Sequence, residues 1–208
     1  MAGLRERQKS ERSNRILDVA RQRFDEHGYS DVSLESIAED AGVSVVTVYN
    51  YYGSKAGLLL ALVKESDFLL IRQLKALIAN APPDMREGVA RFGQIMRRHV
   101  VKYLTRPTWR QILAASIIEG GATFGHDYLE LDEVLIDIME EMVAVYRKRG
   151  TMVSKVEPRT LADTLFSLQN MRFFQFVADD NLTEEAVDGK FRADLEAFFE
   201  SRLTLRSL

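Results

Sequence analysis

Ser33, Ser44 and Ser54 stand ten or eleven residues apart, each just ahead of a stretch that reads as helix. A serine in that place caps a helix, because its side-chain oxygen accepts from a backbone N–H that the first turn leaves unpaired. Starts so close together leave room only for short helices. Ser33 precedes Leu34, Ile37, Ala38 and Ala41, which are apolar at helical spacing. Ala41-Gly42-Val43-Ser44 then reads as a turn into a second short helix, 45–52. Upstream, Ile16, Leu17, Ala20 and Phe24 form an apolar stripe, and Gly28 follows as a stop. The pattern predicts a compact trihelical unit ending in a helix-turn-helix. The second helix of such a unit is shaped to lie in a DNA major groove.

Turning that second helix by about 100° per residue places Val48 and Tyr52 on one face, the side expected to pack inward. Val46 and Asn50 then point the opposite way. Thr47 and Tyr49 flank them, and Tyr51 sits on the rim. An outward valine suits a thymine methyl, and Asn50 is equipped to pair with adenine N6 and N7. The hydroxyls of Thr47 and Tyr49 suit phosphate oxygens, which position a protein without reading sequence. Lys55, opening the next helix, is the one nearby cation. Tyr52 is expected simply to pack.

The net charge of −3 is not the footprint of a protein that grips nucleic acid indiscriminately. Its distribution is uneven. Residues 1–23 carry seven basic groups against three acids, whereas residues 24–54 carry six acids and no lysine or arginine. Affinity for DNA must then lean on the N-terminal segment, on Lys55 and on neutral donors. The basic start reads either as a solvated tail or as an arm that touches DNA. Because it runs into the first helix of the unit, the arm is the expectation.

The remainder is helical throughout, so the fold class expected is all-α with about nine helices. A long helix spans about 55–80 and Pro82-Pro83 ends it. Others follow at about 85–104, 108–119 after a break at Arg106-Pro107, 126–149, 158–178 and 183–205. The division expected is a DNA-binding domain over 1–54 and an effector-binding and dimerisation domain over 55–208. In the last two helices Leu161, Leu165, Leu168, Met171, Phe173, Phe174 and Phe176 cannot all face one interior, and Val187, Phe191, Leu195, Phe198, Phe199 and Leu203 repeat at helical spacing. Helices apolar on more than one side are buried on two sides. A homodimer built on a four-helix bundle of these helices accounts for that. It would also set two reading helices about 34–36 Å apart, as a palindrome requires.

The middle helices are expected to enclose an effector pocket lined from Met96, His99, Tyr103, Trp109, Leu113, Glu119, Tyr128, Phe166, Gln169 and Phe173. A lone histidine on an apolar stripe is more often a satisfied core residue than a ligand contact. Glu119 could bind a cationic or hydroxylated effector, or pair with Arg98 or Arg172. Cysteine is absent and the three histidines show no ligand spacing, so no metal is expected. There is no nucleophile–base set and no glycine-rich phosphate loop, so neither catalysis nor a cofactor is expected. No apolar run approaches membrane-spanning length and no signal segment is visible, which suits the cytoplasm.

The block from Phe24 and Gly28-Tyr29 through Ser33, Ile37-Ala38, Ala41-Gly42-Val43-Ser44, Thr47-Val48-Tyr49 and Ser54-Lys55 to Leu58-Leu59 resembles the TetR-type family of bacterial transcription regulators. The resemblance covers roughly residues 13–62; the rest is similar in architecture only. It implies that Val45, Val46, Thr47, Tyr49 and Asn50 face bases and phosphates, with Ser44 at their head. Tyr51 and Lys55 would meet the DNA backbone, and Ser33 a phosphate. This chain departs from the family pattern at four places. Val46 stands for a small residue, Tyr51 for histidine, and Tyr52 for phenylalanine, which leaves a hydroxyl to satisfy. Ala56-Gly57 stands for acidic residues, which weakens that helix start. The function expected is a ligand-responsive regulator. It would be a repressor that holds a palindromic operator as a homodimer and is released by a small, mostly apolar effector. The competing reading is a nonspecific DNA-binding or protein-interaction module that has lost operator reading.

Overall fold

The computed structural model describes residues 2–118, 124–152 and 155–200. Among them every regular element is an α-helix: α1 (Ala2–His27), α2 (Leu34–Asp40), α3 (Val45–Tyr52), α4 (Lys55–Ala79), α5 (Met85–Tyr103), α6 (Arg106–Ile118), α7 (Phe124–Lys148), α8 (Pro158–Ala178) and α9 (Glu184–Glu200). The expected last turns beyond residue 200, Leu203 among them, lie outside the described residues.

One boundary differs from the sequence expectation. Arg106-Pro107 does not break the chain but opens α6. Proline lacks only an N–H that the first helical turn leaves unpaired anyway, and its fixed φ suits that turn. Thr105 supplies the cap: its Oγ1 lies 2.9 Å from the Thr108 hydroxyl and accepts from the Thr108 N–H at 3.4 Å.

Packing separates the chain into two compact units. One comprises residues 1–68 and 101–131, the other 69–100 and 132–208. Helices α4, α5 and α7 contribute to both. The helix-turn-helix therefore packs in one unit with the first half of α4, with α6 and with the start of α7.

In the first unit Ile16, Ala20, Phe24, Ile37, Val48, Leu58 and Leu59 are sealed from solvent, at 0–1% exposure. Each such aliphatic or aromatic side chain contributes about 1.5–3 kcal/mol on burial. Two ion pairs fasten α1 across this core: Arg21 to Glu65 on α4 at 2.5 Å, and Arg23 to Asp40 on α2. Gly42, at φ +62°, makes the turn out of α2 in a conformation that a β-carbon would strain.

The second unit has its own core, centred on Leu74, Val89, Phe92, Met139, Met142, Val143, Leu165 and Phe191. Set in it is a charged side chain with no solvent exposure, Arg97. Its Nε donates to Asp188 on α9 at 2.9 Å, its Nη2 to the same oxygen, and its Nη1 to Gln169 Oε1 on α8 at 2.9 Å. A buried guanidinium is tolerated because its donors are met in this way. Burial lowers its pKa, and the bond to Asp188 works against that shift.

Candidate nucleic-acid interface

The three expected caps are present. Ser33 Oγ accepts from the Ser36 N–H at 3.1 Å, Ser44 Oγ from the Thr47 N–H at 3.2 Å, and Ser54 Oγ from the Gly57 N–H at 2.9 Å. With both ends set by local bonds, α3 needs only one buried side chain to seat it. That residue is Val48, at 0% exposure. On the opposite side Val46 is 62% and Tyr49 48% exposed, and Asn50 is exposed as well. An outward valine and tyrosine beside an amide make a surface with methyl, hydroxyl, donor and acceptor groups and no charge. Thr47 is half-buried, and its hydroxyl lies 2.8 Å from Ser44 Oγ. Val45 is half-buried; Ser33 and Ser44 are exposed at their helix starts.

The rim of α3 is tied to α1. Tyr52 donates its hydroxyl to the Ser13 carbonyl at 3.1 Å and lies 2.8 Å from Ser13 Oγ, so the polar atom that replaces a plain phenyl edge is satisfied. Burial raises its pKa, and the Ser13 hydroxyl opposes the rise. Tyr51 donates to the Lys9 carbonyl at 3.4 Å. Lys55 donates to the Ser30 carbonyl at 3.4 Å and sits 4.2 Å from the Tyr29 ring centre. Burial lowers its pKa, and Asp31 draws it back up. Both side chains are thus already engaged with α1 or the loop after it.

Gly57 proves to be more than a weak helix former. A β-carbon there would lie 2.0 Å from the Tyr52 carbonyl oxygen, so the α3–α4 junction closes only around a glycine. The N-terminal cations also divide into two groups. Arg7 pairs with Glu11, Arg21 with Asp18 and Glu65, and Arg23 with Asp40. Lys9, Arg12 and Arg15 are exposed on α1 and form no ion pair among the described residues. Counting charges along the sequence could not separate these groups, because Glu65 and Asp40 reach α1 only in the fold. The basic start is helical from Ala2 rather than a loose tail.

The sequence model described as bacterial regulatory proteins, tetR family, matches residues 16–62, the stretch that carries this geometry. The HTH-type transcriptional regulator RutR of Escherichia coli is 25% identical over 197 residues, covering 95% of this chain and 87% of RutR. Residues 16–62 are the DNA-binding domain of the TetR family. Solved TetR-family structures share the fold across the whole length. FadR of Thermus thermophilus, a TetR-family repressor in complex with lauroyl-CoA, gives a TM-score of 0.71 at 18% identity, covering 94% of this chain and 97% of FadR. A transcriptional regulator from Saccharomonospora viridis in complex with choline gives 0.63 at 22%, covering 95% and 100%. The chain thus carries the helix-turn-helix DNA-binding domain of TetR-family transcriptional regulators on a body that shares their all-α fold.

The expected effector residues fall into both units. Met96, His99, Phe166, Gln169 and Phe173 belong to the second and are all buried. Gln169 is occupied within the protein, accepting from Arg97 and donating to Met96 Sδ at 3.2 Å. Tyr103, Trp109, Leu113 and Tyr128 belong to the first, with Trp109 and Tyr128 buried and Tyr103 and Leu113 half-buried. Glu119 lies outside the described residues. The partners suggested for it are taken elsewhere: Arg98 pairs with Glu184, and Arg172 grips Asp194 at 2.5 and 2.6 Å. On α8, Leu161, Leu165, Phe173 and Phe176 turn inward, while Met171 and Phe174 remain 57% and 47% exposed. Among the described residues no three His, Asp or Glu gather as a metal site, and no helix is long and apolar enough to cross a membrane.

Proposed function

We propose that the protein is a ligand-responsive repressor that binds a palindromic operator as a homodimer. The observation that carries this reading is the exposed face of α3. Val46, Tyr49 and Asn50 stand outward on a helix whose opposite side is sealed by Val48. Val46 would pack on a thymine methyl and Asn50 would pair with adenine. Val45, Thr47, Ser44 and Tyr49 border the same groove, and Ser33, Tyr51 and Lys55 lie toward the phosphates. The unpaired Lys9, Arg12 and Arg15 supply the charge that α3 lacks.

Residues 1–54 would act as the DNA-binding domain and 55–208 as the effector and dimerisation domain, although packing groups the helices differently. Met171 and Phe174 support a dimer through α8 and α9, since large apolar side chains left outward on a helix suit a partner face. Met96, His99, Phe166, Gln169 and Phe173, all buried in the second unit, are the proposed effector lining, mostly apolar, in keeping with the lauroyl-CoA bound by FadR. The effector would favour a dimer arrangement whose reading helices no longer match the operator. A regulator of this kind acts in the cytoplasm and catalyses no reaction.

Selection of bound sites from random duplex DNA tests the reading. An enriched palindrome, lost in a Tyr49→Phe, Lys55→Ala double variant, is the expected result. A folded dimer that enriches nothing would favour a nonspecific module, provided that no co-purified effector holds it off DNA.

A further inference from the structure

The carboxylates along the second-unit part of α7 are matched by cations, with one exception. Arg159 meets Glu133, Asp137 and Glu140, and Lys75 meets Glu141 at 2.6 Å. Asp132 is half-buried and pairs with no cation among the described residues. Its one polar contact is a long bond from Asn170 Nδ2 on α8, at 3.4 Å. The setting is otherwise apolar. Leu135 and Met139, one and two turns further along the same face of α7, are buried in the core of the unit. Phe166 and Phe173, about one turn to either side of Asn170 on α8, are buried as well.

A carboxylate set into apolar surroundings without a cation is costly. Burial pushes the Asp132 carboxyl up to about 6, and the nearby Glu133 adds to the rise. Such a group is a candidate binding site on physical grounds. Resting on the effector half of the proposed function, the geometry points to Asp132, with Asn170 beside it, as the anchor for an effector that carries an organic cation on an apolar body. The cation supplies the charge partner that the chain withholds, and neighbouring aromatic rings favour it further.

The test uses the full-length chain with three probes of one length: octylammonium, octanol and octanoate. Calorimetry should show octylammonium binding at least ten-fold more tightly than the other two. In Asp132→Asn, which keeps shape but removes charge, that preference should vanish while octanol binding is retained and the melting temperature does not fall. Carbon-detected titration should show the Asp132 carboxyl falling in pKa when octylammonium is added. Equal binding of the three probes overturns the assignment, as does a preference that survives in Asp132→Asn. Asp132→Asn weakening self-association with amine binding intact also overturns it, because the carboxylate would then face a second copy of the chain. Operator binding is measured on the same samples without amine. If it persists while the probes bind alike, only this inference fails; if no operator binds, the regulator reading fails first.

Discussion

The helix-turn-helix and the second unit use hydrogen bonds in opposite ways. Around α2 and α3 the defining side-chain bonds join residues three apart, Ser33 to Ser36, Ser44 to Thr47 and Ser54 to Gly57. In the second unit they join residues 72 and 91 apart, Arg97 to Gln169 and Arg97 to Asp188. Local bonds hold α3 in shape without using its outer face, so Val46, Tyr49 and Asn50 are left with no structural task. Long-range bonds commit the polar groups of the second unit to holding α5, α8 and α9 together. Asp132 departs from that rule, since among the described residues its carboxylate meets the Asn170 amide and no cation.

The contrast can be tested by substitution. Arg97→Ala should have the largest effect, a loss of about 3–5 kcal/mol, because it empties a buried site and takes the shared donor from Gln169 and the half-buried Asp188. Arg97→Met together with Asp188→Leu should lose far less, and urea unfolding distinguishes the two. Gly57→Ala should cost roughly 2–3 kcal/mol through the clash with the Tyr52 carbonyl. Helix propensity alone predicts a gain of about 1 kcal/mol, so the sign decides. Asp132→Asn should stabilise the protein by about 1–2 kcal/mol at pH 7. Its folded pKa lies above the ordinary value, so its contribution to stability is fullest below about pH 4 and is lost as pH rises through about 6. The gain should therefore shrink toward zero at pH 4, as melting curves at both values would show. Ser44→Ala, which removes one local cap, should cost only about 1 kcal/mol.

What sequence could reveal follows the same division. The caps, the turn glycine and the inward Val48 follow from rules that act over three or four residues, and each stands where the sequence placed it. Sequence places the start of α6 too late, because Pro107 reads as a break although a first turn tolerates it. The role of Gly57 is invisible in sequence because its constraint comes from the Tyr52 carbonyl, which approaches only after the chain has turned. Arg97 carried no signal, since nothing within a few residues marks it as buried and its carboxylate lies on α9. Lys9, Arg12 and Arg15 could be distinguished from their paired neighbours only once Asp40 and Glu65 were seen against α1.

The central claim is that one short helix has a holding side and a reading side that can be separated. The most direct test compares a Val46→Ala, Asn50→Ala variant with Val48→Ala, measuring unfolding free energy and preference for the selected palindrome over a scrambled duplex. The account predicts that the outer variant unfolds within about 0.5 kcal/mol of the parent. Its preference for the palindrome should fall at least ten-fold, whereas Val48→Ala should lose about 2 kcal/mol of stability. An outer variant that kept its preference, or unfolded as readily as Val48→Ala, would contradict it.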